Sequence, residues 1–110
     1  MTAPLISAEA LAESRPGRII FDVRHDLARP SDYGRKAYAA GHIPGALFLH
    51  IDDELSGPKT GGNGRHPLPD PEAFAALLRS HGVTPDSEIV AYDDAGGMFA
   101  ARLWWMLRWI

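Results

Sequence analysis

Ser87-Glu88-Ile89-Val90-Ala91-Tyr92-Asp93-Asp94-Ala95-Gly96-Gly97 carries an apolar strand pattern directly into an acidic, glycine-rich loop. Met98-Phe99-Ala100-Ala101-Arg102-Leu103-Trp104-Trp105-Met106-Leu107-Arg108 follows at once and reads as a helix. A strand, a short glycine loop and a helix form an anion-binding nest, because the unpaired N–H groups of the first helical turn point into the loop. Here the loop holds two carboxylates and no nucleophile. A carboxylate at a helix N-terminus gains roughly 0.3–1 kcal/mol from the dipole, so Asp93 and Asp94 are expected to cap, filling the nest themselves. A phosphoryl-accepting aspartate or a magnesium site would want a further acid two residues after the first, and that position is Ala95. No metal site is expected.

The same alternation extends backwards. Arg18-Ile19-Ile20-Phe21-Asp22-Val23 is a short apolar run behind the Pro16-Gly17 break, and Ala46-Leu47-Phe48-Leu49-His50-Ile51 is a second. Both read as buried strands. Between them Tyr33 to Ala40 reads as a short helix ending at Gly41, after a polar loop from His25 to Ser31. Ser7 is placed to cap a first helix through Ser14, with Glu9 in its first turn. Asp70-Pro71-Glu72 opens a third helix: cap, proline at the first helical position, early acid. Phe74, Leu77, Leu78 and His81 share its inner face, and Gly82 ends it. From Asp52 to Pro69, the glycines at 57, 61, 62 and 64 and the prolines at 58, 67 and 69 exclude regular structure. A loop this long is functional or mobile more often than not. Strands alternating with helices predict an α/β domain with a mainly parallel sheet.

Composition narrows the partners. With 110 residues, 45% hydrophobic and 23% charged, the chain holds one small domain. A formal charge of −3 gives no reason to expect nucleic acid or an anionic membrane surface. Cysteine is absent, which excludes disulfides, thiolate metal sites and a cysteine nucleophile within these residues. Met1 to Ala10 lacks the basic and apolar regions of a signal peptide, and no stretch offers the roughly 18 apolar residues of a membrane span. A cytoplasmic protein is expected. The last helix is apolar on nearly every side, from Phe99 through Trp104, Trp105 and Trp109 to Ile110, and such a helix needs cover all round. A piece of a longer protein is therefore expected.

Other groups carry two readings each. His42 in Gly41-His42-Ile43-Pro44-Gly45-Ala46 either bonds the loop backbone or stands at the carboxyl edge of the sheet as a cleft group. Asp22 and Arg24 close the first strand where ligands sit in parallel sheets, or they pair internally. Asn63-Gly64-Arg65-His66-Pro67-Leu68-Pro69 is a basic segment that lines an opening or serves as a solvated connector.

Taken together, these residues resemble the N-terminal domain of two-domain rhodanese-type sulfurtransferases, the thiosulfate and 3-mercaptopyruvate sulfurtransferase family. The resemblance rests on Asp22-Val23-Arg24, Gly41 to Ala46, Gly64-Arg65-His66-Pro67-Leu68-Pro69, Tyr92-Asp93-Asp94 and Ala100 to Arg108, in the family's order. It implies one rhodanese-like domain over residues 1–110, stopping before a last strand and helix. It also implies transfer of sulfane sulfur from thiosulfate or 3-mercaptopyruvate to cyanide or a thiol, with no cofactor. The persulfide would form on a cysteine of a second rhodanese domain. Asp93 then stands at the nucleophile-loop position, and this chain supplies no catalytic residue. His42, with Arg24 and Arg65, would line the cleft that receives the small sulfur donor. A stand-alone, inactive rhodanese-like binding or regulatory module is the other reading.

Overall fold

The computed structural model describes residues 5–14, 16–29 and 32–110. The expected loop residues Pro30 and Ser31, and the N-terminal Met1 to Pro4, lie outside them. Along the chain run α1 (Ala8–Ser14), β1 (Arg18–Asp22), α2 (Tyr33–Ala40), β2 (Leu47–Phe48), α3 (Pro71–Ser80), β3 (Glu88–Tyr92) and α4 (Met98–Trp109). The sheet has the order β2-β1-β3 with both pairings parallel, as the alternation of strands and helices requires. β1 lies in the middle. Phe21 pairs with Leu47 on one side and with Ala91 on the other.

The pleat sorts side chains by parity. Phe21 and Val23 point into the main core with Leu49, Ile51, Phe74, Leu78, Phe99, Leu103 and Met106, and Ile89 and Ala91 pack against it. That face is covered by α3 and α4. Ile20 points the other way and packs with Leu11 of α1 and Ala46, with Val90 and Tyr92 beside them. Because β1 is buried on both faces, it is a continuous apolar run and not an alternating one.

Helix ends follow their sequence signals. Ser7 Oγ accepts from Ala10 N at 3.1 Å, and Asp70 Oδ2 accepts from Ala73 N at 3.0 Å. Gly41 closes α2 in an extended conformation at φ 171°, without the left-handed turn its type suggested. The second strand is shorter than the expected 46–51. Leu49 N still reaches Asp22 O, but His50 then starts a tight turn. His50 O accepts from Glu54 N and Leu55 N, His50 Nδ1 accepts from Asp52 N and Asp53 N, and His50 N donates to Glu54 Oε1. These local bonds outcompete the ladder and end the strand.

The 52–69 loop has no regular structure, yet it is tied down. Gly57 N donates to Pro67 O at 2.8 Å, and the Arg102 guanidinium of α4 donates to Leu55 O at 2.9 Å. A β-carbon on Gly57 would stand 2.7 Å from Leu68 O, so the two arms of the loop meet only because this residue is glycine. On α4 the buried stripe is Phe99, Leu103 and Met106. Trp104 and Trp105 are 45% and 48% exposed. The Arg108 guanidinium covers the Trp104 ring at 5.1 Å, and Trp105 stacks on Trp109.

Gly34 shows how tightly α2 sits against the sheet. A β-carbon there would lie 2.1 Å from Arg24 O and 2.9 Å from Phe48 Cζ. Replacing a helical glycine with alanine ordinarily gains about 0.5–1 kcal/mol. At this position overpacking of about 1–3 kcal/mol or more reverses the sign. Gly34→Ala is expected to lower the melting temperature; an unchanged or higher value by calorimetry contradicts the close approach.

Candidate functional site

The carboxyl ends of β1 and β3 lie side by side; Asp22 closes β1 and Asp93 follows β3, and the two acids are used differently. Asp22 is fully buried. Its Oδ2 accepts from Arg24 Nη2 at 2.7 Å and from the Tyr92 hydroxyl at 2.8 Å, while Oδ1 accepts from Arg24 N and Arg24 Nε at 2.9 and 3.1 Å. Arg24 Nη2 also donates to Gly41 O at 2.6 Å, and the Tyr92 oxygen accepts from Ile43 N at 3.1 Å. The charge-assisted fork satisfies the buried carboxylate completely. Arg24 is thereby committed to Asp22 and to the 41–43 turn.

Asp93 fills the nest. Oδ1 accepts from Ala95 N and Gly97 N at 2.9 and 2.8 Å, and Oδ2 from Phe99 N and Ala100 N at 2.9 and 2.8 Å. The loop bends into this shape through Gly96 and Gly97, at φ 75° and 97°, a region that side chains with a β-carbon rarely adopt. Burial alone would raise the Asp93 pKa, but the four backbone N–H donations outweigh it and hold the carboxyl below its ordinary value. The groups that could have bound an anionic ligand are thus occupied by the protein's own carboxylate. Asp94 turns away and accepts from the Tyr33 hydroxyl.

His42 is exposed on the turn after α2. Its ring stacks on Tyr38 at 3.7 Å, and Nδ1 lies 2.7 Å from Tyr38 O. It lines neither of the two cavities described next. A cavity of about 290 Å3 opens beyond the strand ends, lined by Arg65, His66, Arg102, Met98 and Phe99 among others. A neighbouring hollow of about 410 Å3 shares Met98 and Phe99 and adds His25, Arg29, Tyr33 and Asp94. Of the three residues expected at a cleft, the fold brings Arg65 to the cavity; Arg24 and His42 belong to the Asp22 network and the adjoining turn.

Three further residues meet at this edge. Asp52 Oδ1 lies 3.3 Å from His66 Nε2 and 3.4 Å from Lys59 Nζ. His25, buried at 4% exposure, packs edge-on against the His66 ring. Burial pushes the pKa of both histidines down, and for His66 the attraction of Asp52 only partly offsets it. A carboxylate-held imidazole beside two guanidinium groups is suited to receiving an anion and relaying a proton. His66 stands in the basic 63–69 segment, whose sequence fits a lining of an opening and a solvated connector equally. Asp52 and His25 lie in loops with no motif of their own.

The sequence profile of the family described as "Rhodanese-like domain" matches residues 7–109. The chain is 46% identical over 112 residues to a probable 3-mercaptopyruvate sulfurtransferase of Pseudomonas aeruginosa, covering 99% of this chain and 39% of that protein. It is 37% identical over 114 residues to the 3-mercaptopyruvate sulfurtransferase of Escherichia coli K12, covering 97% and 38%. A putative thiosulfate sulfurtransferase of Mycobacterium tuberculosis is 44% identical over 88 residues, covering 80% and 30%. The solved structure of 3-mercaptopyruvate sulfurtransferase from Leishmania major superposes with a TM-score of 0.85 at 31% identity, over 94% of this chain and 28% of that one. The chain therefore spans between about a quarter and two fifths of the length of these proteins. Among the described residues, no helix is long and apolar enough to cross a membrane.

Asp93→Asn is expected to destabilise the protein by about 1–3 kcal/mol, because an amide cannot accept from four converging N–H groups. The effect depends on pH. The folded-state pKa of Asp93 lies below the unfolded value of about 3.9, so its stabilisation is present above that value and is lost as pH falls through the folded pKa. Urea unfolding at neutral pH should separate wild type from Asp93→Asn, and the gap should narrow as pH falls below the unfolded value of about 3.9. A gap that stays constant removes Asp93 from this role.

Proposed function

This chain belongs to the family of rhodanese-like domains, and from that membership we propose that it is the N-terminal, non-nucleophilic part of a tandem-domain sulfurtransferase. The observation that carries this reading is the Asp93 carboxylate seated in the nest where such a fold would otherwise hold an anion. The relatives' greater length supports a second domain and favours this reading over a stand-alone binding module. The protein would act in the cytoplasm, without a cofactor.

In the whole protein, a cysteine thiolate of the second domain attacks the outer sulfur of thiosulfate or the single sulfur of 3-mercaptopyruvate. A sulfur–sulfur bond to the enzyme forms as the donor's S–S or C–S bond breaks; sulfite, or the enolate of pyruvate, leaves with the bonding electron pair, and the enolate takes up a proton. A thiol or cyanide then removes the outer sulfur and restores the thiolate. The present residues contribute a rigid wall and a positive field. Arg65 is exposed at the cavity mouth and attracts an anionic donor, while Arg102 props the loop that carries Arg65 and His66. Arg24, fixed by Asp22, holds the 41–43 turn through its bond to Gly41 O, and that turn would present His42 to the cleft between domains.

Residues 1–110 contain no cysteine. The isolated chain is expected to release no thiocyanate from thiosulfate or 3-mercaptopyruvate with cyanide, whereas the full-length protein does. Protein-dependent thiocyanate release by the isolated chain overturns the assignment. In the full-length enzyme, Arg65→Ala should raise KM for the anionic donor about two- to fivefold, the worth of an exposed charge contact, and leave kcat near wild type. His42→Ala should lower turnover more than stability; a fall in melting temperature at wild-type turnover returns His42 to a purely structural role.

A further inference from the structure

We propose that His25, Asp52 and His66 form a binding site for one divalent cation of the zinc type, with two imidazole nitrogens and one carboxylate oxygen as ligands. The three residues come from separate segments: the loop after β1, the turn after β2 and the far end of the 52–69 loop. Their ligand atoms nevertheless all lie within 4.8 Å of one another. This site does not depend on the sulfur-transfer reading.

Two of the three residues carry buried polar atoms with no hydrogen bond. His25 Nε2 has none, and its residue is 4% exposed. Asp52 Oδ1 has only the long contacts to His66 and Lys59. Buried polar atoms without partners are rare, and each asks for a ligand, an ion or a water. One cation would satisfy both and neutralise the carboxylate.

The donor set selects the ion. Two imidazoles and one carboxylate suit zinc, which takes three protein ligands and leaves a fourth position open. Calcium and magnesium want more oxygen ligands than are present. Bonds of about 2.0–2.2 Å in a tetrahedron hold ligand atoms about 3.4 Å apart. His66 and Asp52 already stand at 3.3 Å, and the His25 pairs, within 4.8 Å, close toward the same spacing. His66 is on a loop and can make that movement, and the cavity it lines gives the ion and a fourth ligand access from solvent. His50 is not a ligand. Its Nδ1 accepts from two backbone N–H groups, which puts the proton on Nε2. Lys59 competes: its ammonium now sits on the same Asp52 oxygen, but its side chain is more than half exposed and can swing out.

The purified protein, stripped with EDTA, is titrated with zinc chloride by calorimetry and with cobalt(II) by visible absorption. One equivalent should bind with Kd of about 10 μM or tighter. His66→Gln and Asp52→Asn should each weaken it at least about tenfold, and Lys59→Ala should tighten it severalfold by removing the competing ammonium. Imidazole NMR signals of His25 and His66 should shift on zinc addition, while those of His42 and His81 stay fixed. This readout on the wild-type protein stands even where a variant fails to fold. No stoichiometric binding, binding that His66→Gln leaves unchanged, no response to Lys59→Ala, or shifts confined to His42 and His81 each overturn the proposal.

Discussion

The buried carboxylate of Asp22 is the constraint on which the functional edge of this domain depends. It stands at the end of the central strand with no exposure to solvent. A charge in that position is tolerable only when every lone pair is used, since an unpaired buried ion costs several kcal/mol. The Arg24 fork, the Arg24 backbone N–H and the Tyr92 hydroxyl use them. Through Arg24 Nη2 and the Tyr92 oxygen, the same cluster grips Gly41 and Ile43. One acid thus sets the relative positions of the β1 end, the β3 end and the turn after α2.

A second acid does different work on the neighbouring strand. Asp93 takes up four N–H groups at the start of α4 and leaves that nest no capacity for an external anion. Chemistry on this surface must therefore use side chains outside the nest. The fold supplies them on the long loop, which Arg102 and the Gly57–Pro67 bond hold against the core. The result is an edge with a rigid, self-satisfied centre and a basic, histidine-bearing flank around the cavity at Arg65 and His66.

The helices and strands were legible because their signals are local. Ser7 and Asp70 cap where their side chains can reach the third N–H, and Pro71 starts a helix because its ring already has the right φ. The β1 run reads as buried on both faces from composition alone, and the parallel sheet follows from the alternation of elements. The strand at residue 47 read too long for a physical reason. His50 is apolar enough in context to extend the pattern, but its ring nitrogen takes two backbone N–H groups and turns the chain.

By itself the sequence determined the α/β class, the element order, the caps and the acidic, cysteine-free loop that bars persulfide chemistry within these residues. Each depends on neighbours a few positions apart or on the absence of a residue type. Tertiary structure alone decided which polar residues meet. Asp52 and His66 are separated by 14 positions of glycine- and proline-rich loop, and His25 by another strand and helix, so no spacing rule connects them. Their proximity comes from the parallel order β2-β1-β3, which brings the loops after β1 and β2 to one edge of the sheet, and from Arg102, which draws the far arm of the long loop inward. The sequence favoured an Asp22–Arg24 pair over a free cleft arginine, and the fold made the pair obligatory by burying Asp22. The cost of leaving that carboxylate unpaired assigned Arg24 to the scaffold.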